Sequence, residues 1–232
     1  MSKQPSTVVL VHGAWHGSWV WERVVPLLEA RGVSVRTVDL PSVGAAPGVA
    51  ADLAGDAAVV TALLDSIDGP KLLCGHSYGG MVISVAAAGR SDVLRLVYLC
   101  AFMPDAAESL VQLTGSKPAP WIQLLDGGFT LPDPAQAADV FYADCDEETA
   151  REAVARIRPM AGAGFGQPVA APAWHGIPST YVVCTEDRAI PPELQRDVFG
   201  PRADEVIELE ASHSPFSSQP AAVADLLADR AI

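Results

Sequence analysis

Six short runs rich in Val, Leu and Ile recur along the chain: TVVLVHG, VSVRTVDLP, KLLCGHS, VLRLVYLCAF, STYVVCTED and DEVIELEASH. Runs this short and this continuously apolar read as strands buried on both faces. Between them, Trp19–Ala30, Ala50–Ile67 and Tyr78–Ala88 carry apolar residues at helical spacing. The C-terminal SSQPAAVADLLADRA reads as a last helix, with Ser218 as its N-cap and Pro220 in its first turn. Strand alternating with helix predicts an α/β fold, a mostly parallel central sheet flanked by helices and joined by right-handed crossovers.

The alternation stops between Met103 and Gly176. That stretch is rich in Pro, Gly and Ala, has helical pieces such as Asp146–Ile157, and shows no convincing strand. It also holds Trp121, Phe129, Phe141, Tyr142, Phe165 and Trp174, more aromatic surface than a solvated excursion needs. Residues 103–176 are therefore expected to form a small, mostly helical cap over the carboxyl edge of a core made from 1–102 and 177–232. A helical elaboration packed on the core is the alternative.

At 232 residues and 50% apolar, the chain suits one sizeable core. Its 28 acidic residues against 15 basic give a formal charge of −13, which disfavours nucleic acid and anionic membrane as partners and offers no help in drawing in an anion. No run approaches the roughly 18 apolar residues that cross a bilayer. The opening MSKQPSTVVLVHG lacks a signal-peptide core. Cys74, Cys100, Cys145 and Cys184 show no paired or ligand spacing, and three of them sit in strand-like runs as small hydrophobes. A cytoplasmic protein is expected.

One junction is chemically informative. Gly75-His76-Ser77-Tyr78-Gly79 is G-x-S-x-G between a predicted strand and a predicted helix, the context of a nucleophile elbow. Such a turn strains the serine and brings strand and helix close, so the flanking positions must be small, and Gly80 adds another small residue at the crossing. A serine hydroxyl is a poor nucleophile unless a base and an orienting acid accompany it. His213 follows the last strand run and Asp187 the one before, so the order is Ser77, Asp187, His213. Taken singly, His213 reads as a loop histidine and Asp187 as a cap for the turn beginning at Ile190. Glu186 lies one residue early and would point away, and Asp105, after the fourth strand run, is a second candidate acid whose commoner job is helix capping.

An oxyanion needs two backbone donors. Tyr78 follows the nucleophile, and Ala14 lies in the first loop, His12-Gly13-Ala14-Trp15-His16-Gly17, where Gly13 permits close approach and His12 is expected to brace the loop. Trp15, Trp121 and Phe129 are the candidate substrate-contacting aromatics. No clustered ligand set or phosphate loop calls for a metal or cofactor.

Taken together, HGAWHGSWVWERVVPLLEARG, GHSYGGM, CAFMPD, TEDRAIPPELQ and SHSPFSSQP resemble the α/β-hydrolase superfamily, in the branch of plant methyl esterases, hydroxynitrile lyases and related bacterial esterases. The resemblance spans residues 10 to 220 apart from the middle of the cap. It implies an α/β-hydrolase fold and a serine triad. Lyases of this branch carry a threonine at the position of Gly13 and a lysine where this chain has Ser214, so the resemblance favours ester hydrolysis. The expected activity is a carboxylesterase acting on small, largely apolar or aryl esters through an acyl-enzyme. Carbon–carbon bond cleavage or a lyase step on the same triad, and a ligand-binding receptor, stay open. An exposed apolar cap would serve as a substrate entrance or pair two copies into a homodimer.

Overall fold

The computed structural model describes residues 6–46, 51–115 and 117–231. Among these residues the strands are β1 (Thr7–Val11), β2 (Val35–Val38), β3 (Lys71–His76), β4 (Val93–Leu99), β5 (Ile122–Leu124), β6 (Phe129–Pro132), β7 (Met160–Ala161), β8 (Ser179–Cys184) and β9 (Glu205–Leu209). The helices are α1 (Val25–Glu29), α2 (Leu53–Asp65), α3 (Gly79–Ala86), α4 (Leu110–Leu113), α5 (Pro134–Phe141), α6 (Glu147–Arg156), α7 (Pro192–Leu194), α8 (Pro215–Ser218) and α9 (Pro220–Arg230).

Each of the six apolar runs supplies one strand of a six-stranded sheet in the order β2-β1-β3-β4-β8-β9, with every neighbouring pair parallel. Successive residues of a strand point to opposite faces, and the two apolar cores divide accordingly. Val9, Val11 and Leu73 pack with Val60 of α2 and Val82 of α3, while Val8, Leu10, Leu72 and Cys74 pack with Leu28 of α1 and Leu227 of α9. This is why the strands read as continuous apolar runs. Among the described residues no helix is long and apolar enough to cross a membrane.

Three local expectations are corrected. The helix expected over Trp19–Ala30 is broken into a 3-10 turn at Ser18–Trp21 and the short α1, because Pro26 has no N–H to continue an earlier turn. Ser218 ends α8 instead of capping α9; Gln219 holds the cap position without a side-chain bond to the helix. The segment 103–176 also contains an antiparallel sheet, β5-β6-β7, beside its helices. Its hairpin turns at Asp126-Gly127-Gly128, where both glycines have positive φ, 71° and 79°. The helix expected from Ala50 begins at Leu53, Ala50 itself lying outside the described residues, as does the start of the N-terminal stretch, Met1–Pro5.

The insertion reaches back to the core through its last strand. Gly44 N donates to Pro159 O (2.8 Å) and Ala161 N to Ser42 O (2.9 Å), on either side of an antiparallel bridge between Val43 and Met160.

Candidate active site

Ser77 follows the last residue of β3 with φ at +53°, a left-handed conformation rare for a side-chain-bearing residue. Three glycines make that turn possible. A Cβ at Gly75 would lie 2.6 Å from Gly79 O, one at Gly79 2.7 Å from His12 O, and one at Gly80 2.1 Å from Phe102 O. The turn is held by Ser77 O, which accepts from Gly80 N (3.0 Å) and Phe102 N (3.1 Å). Ser77 lies just past the carboxyl end of β3, and α3 begins two residues later.

Asp187 and His213 lie on the loops after the adjacent strands β8 and β9, and are 4% and 1% exposed. Asp187 Oδ2 accepts from His213 Nδ1 at 2.7 Å and from Gln195 Nε2 at 2.9 Å; its Oδ1 accepts from Ala189 N (2.8 Å) and Ile190 N (2.9 Å). The carboxylate thus caps its own turn and holds the imidazole at the same time, so the two readings of Asp187 coexist. With Nδ1–H donated to Asp187, the lone pair of His213 lies on Nε2. Ser77 and His213 both line one cavity of about 970 Å³, together with Ala14 and Tyr78.

The rival acids are elsewhere. Glu186 is exposed, and Asp105 accepts from the half-exposed His175 at 2.9 Å. Nor does Asp105 cap a helix. It bonds Ala106 N, and Ser109 caps α4 through a reciprocal bond with Gln112.

The other three histidines are buried braces. His12 Nε2 accepts from Leu40 N (3.0 Å) and its Nδ1 donates to Gly13 O (2.8 Å). His16 bridges Ala14 O (2.6 Å) and the Tyr142 hydroxyl (2.8 Å). His76 Nε2 donates to the carbonyl of His213 (2.8 Å), tying the elbow directly to the loop of the partner imidazole. Burial pushes His12 down to about 4 and His16 to about 3, and holds His76 well below the usual imidazole range, so all three are neutral at pH 7. His76, Cys100 and His213 bring possible ligand atoms within 4.8 Å of one another. His76 Nε2 and Cys100 Sγ both donate to the His213 carbonyl, which makes the group a brace for that loop.

The cavity walls are mainly aromatic and aliphatic. Trp15, Trp121 and Phe129 all line it, and Phe102, Phe141 and Phe165 complete its aromatic face. Trp15 meets Trp121 edge-on at 5.7 Å and Phe165 at 6.1 Å. Among the described residues the charged side chains on the wall are the cations Lys117 and Arg188, and Arg188 is paired with Asp139.

Several residues that shape the site carry no short-range sequence signal. Gln195 is fully buried; its Nε2 donates to Asp187 and its Oε1 accepts from Cys184 N (3.1 Å). Asp56 is fully buried on α2 and accepts from Ser42 N (2.9 Å), Ser42 Oγ (2.6 Å) and the Tyr78 hydroxyl (2.9 Å). Burial raises its carboxyl pKa against the opposing pull of those donors.

A strained serine between crowded glycines, an Asp-His pair on the next loops and a common apolar cavity define a hydrolase of the α/β class. The chain belongs to the alpha/beta hydrolase family, whose model matches residues 8–226. It is similar to a pyrethroid hydrolase of Sphingobium wenxiniae, at 32% identity over 96% of this chain and 86% of that protein. Salicylic acid-binding protein 2 of Nicotiana tabacum is 30% identical over 94% of each chain. In three dimensions the crystal structure of polyneuridine aldehyde esterase superposes with a TM-score of 0.86 at 26% identity, covering 99% of this chain and 100% of the other.

Proposed function

We propose that this protein is a serine carboxylesterase in which Ser77, His213 and Asp187 form the triad and the N–H groups of Ala14 and Tyr78 hold the oxyanion. The observation that carries the reading is the shared cavity: Ser77, the Asp187-bonded His213 and both donor residues line it. Relatives that are named esterases or hydrolases, alike over nearly the whole chain, support the reaction class.

In this mechanism His213 Nε2 takes the Ser77 proton as Oγ bonds the ester carbonyl carbon. Asp187 stabilises the imidazolium, and the two N–H groups stabilise the charge on oxygen. The C–O bond to the alcohol breaks and the alcohol leaves with the proton from His213. Water, deprotonated by His213, then attacks the acyl-enzyme and frees Ser77 with the carboxylic acid as product. A lyase step of the cyanohydrin type has no support in the first loop, because a Cβ at position 13 would lie 2.8 Å from Ser77 Cβ and 2.9 Å from His76 Nδ1.

The insertion acts as a cap whose aromatic wall receives the bulk of the ester. A cavity of about 970 Å³ is far larger than an acetyl group requires, so medium-chain and aryl esters are the favoured substrates. The four free cysteines, three of them buried, suit a reducing cytoplasm.

The test is hydrolysis of p-nitrophenyl esters from acetate to octanoate, with methyl and aryl esters alongside, by the wild type and Ser77→Ala. Turnover that rises with acyl size and disappears in the variant is expected. Undiminished turnover by folded Ser77→Ala protein would overturn the reading.

A further inference from the structure

Both residues assigned to the oxyanion hole are tied to the same short stretch of the insertion, Arg158–Ala161, by separate chains of bonds. The first runs through Trp15, the neighbour of Ala14. Trp15 has φ at +62°, a strained conformation for a bulky residue that persists only where its surroundings enforce it. Its carbonyl accepts from Arg158 N (2.9 Å), and its indole N–H donates to Thr130 Oγ1 (3.0 Å). Thr130 is 6% exposed, pairs with Met160 across β6 and β7, and its hydroxyl lies 3.4 Å from the Met160 carbonyl.

The second chain runs through the side chain of Tyr78. Its hydroxyl donates to Asp56, Asp56 accepts twice from Ser42, and the Ser42 carbonyl accepts from Ala161 N (2.9 Å). Asp56, Ser42 and Tyr78 are all 0% exposed, so no water competes for these bonds. A Cβ at Gly164, just past the strand, would come within 2.8 Å of the Tyr78 hydroxyl. The insertion therefore touches this chain as well as the first.

We infer that β7 and its flanks are the positioning element of the oxyanion hole, with Thr130 and Asp56 the side chains through which the insertion sets the two donor N–H groups. This rests on the assignment of Ala14 and Tyr78 as those donors. The insertion then does more than receive substrate. It holds in place, before substrate arrives, two backbone dipoles that belong to the core. Pre-set dipoles stabilise a developing charge without reorganising during the reaction.

The experiment uses Thr130→Val, which keeps the side-chain shape and removes the acceptor, and Asp56→Asn, which keeps the size and removes the charge. Each is assayed on one aryl ester and on the matching thionoester, whose developing charge sits on sulfur, a weak hydrogen-bond acceptor. For the oxygen ester kcat falls about tenfold, a fraction of the roughly 10²–10³ lost when an oxyanion donor is deleted. KM stays within about twofold, and thionoester turnover changes by less than about threefold, since little donor stabilisation is there to lose. Trp15→Phe keeps an aromatic side chain and loses the indole N–H; whatever it does to KM as a wall residue, its kcat loss on the oxygen ester matches that of Thr130→Val, and the double variant loses no more kcat than either single one.

An equal loss for oxygen ester and thionoester would mean general damage to the site and would overturn the inference, as would unchanged kcat in all three variants. Failure of the underlying reading looks different, because Ser77→Ala would then retain turnover on both substrates.

Discussion

In the central sheet β3 and β8 bury every residue along their length, whereas β5 of the insertion buries none of its three outright and leaves Leu124 71% exposed. The two sheets hold together for different reasons. The core sheet is covered by helices on both faces and draws its stability from area removed from water. The insertion has a short antiparallel sheet, two-to-four-residue strands, and aromatics turned toward a cavity. Its aromatics line a cavity instead of a closed core, so on the proposed function substitutions in the core should disturb stability and chemistry, while those in the insertion should alter what is bound and how well the donors are aligned.

The largest expected effect tests the core alone. Asp187→Asn preserves the loop's shape but misdirects the imidazole, and kcat falls about 10⁴-fold while the melting temperature moves little; stopped assays with a sensitive fluorogenic ester measure it. Next comes a matched pair of glycines. Gly80→Ala places a Cβ 2.1 Å from Phe102 O and costs about 3 kcal/mol in denaturant unfolding, whereas Gly166→Ala in the insertion meets nothing within 4 Å and stays within about 0.5 kcal/mol. A reversal of that order would show that the insertion, not the elbow, limits stability.

The pH dependence of stability is set by buried core histidines. His12 and His16 have folded pKa values of about 4 and about 3, below the unfolded 6.5, so the unfolded chain binds more protons as pH falls below 6.5. Stability is fully present above pH 6.5 and is lost on descending toward pH 4, by up to about 1.4 kcal/mol per pH unit for each histidine. Thermal unfolding at pH 7.5, 6 and 5 reads the slope; a flat profile would contradict the burial of these rings. The smallest effect belongs to the rim: Leu124→Ser leaves unfolding within about 0.5 kcal/mol and raises KM for octanoate more than for acetate.

The core strands were legible because burial on both faces writes an unbroken apolar run, and the elbow because its glycines are forced by backbone contacts at Gly75, Gly79 and Gly80. Ser77, Asp187 and His213 follow strand ends, so the Asp187–His213 bond and the cavity that Ser77 shares with His213 could be anticipated from their order. The antiparallel sheet of the insertion was not read, because strands of two to four residues are too short to show alternation. Its one local signal was Asp126-Gly127-Gly128, a hairpin sequence with positive φ at both glycines. Gln195, Asp56 and Thr130 were missed for a different reason. Their partners lie 8, 22 and 115 residues away, and nothing in a buried polar residue's neighbours announces a partner in space.

The bond between His76 and the His213 carbonyl spans 137 positions of chain, with the whole insertion inside that interval. Closing so long a loop carries an entropic cost that must be met before the contact gives anything back, and contacts of this kind form late in folding. Recovery of catalysis is accordingly the expected readout of how late that contact forms. During refolding, ester hydrolysis is expected to lag behind the recovery of helical circular dichroism, and recovery of both together would show that the long-range contact forms with the rest of the fold.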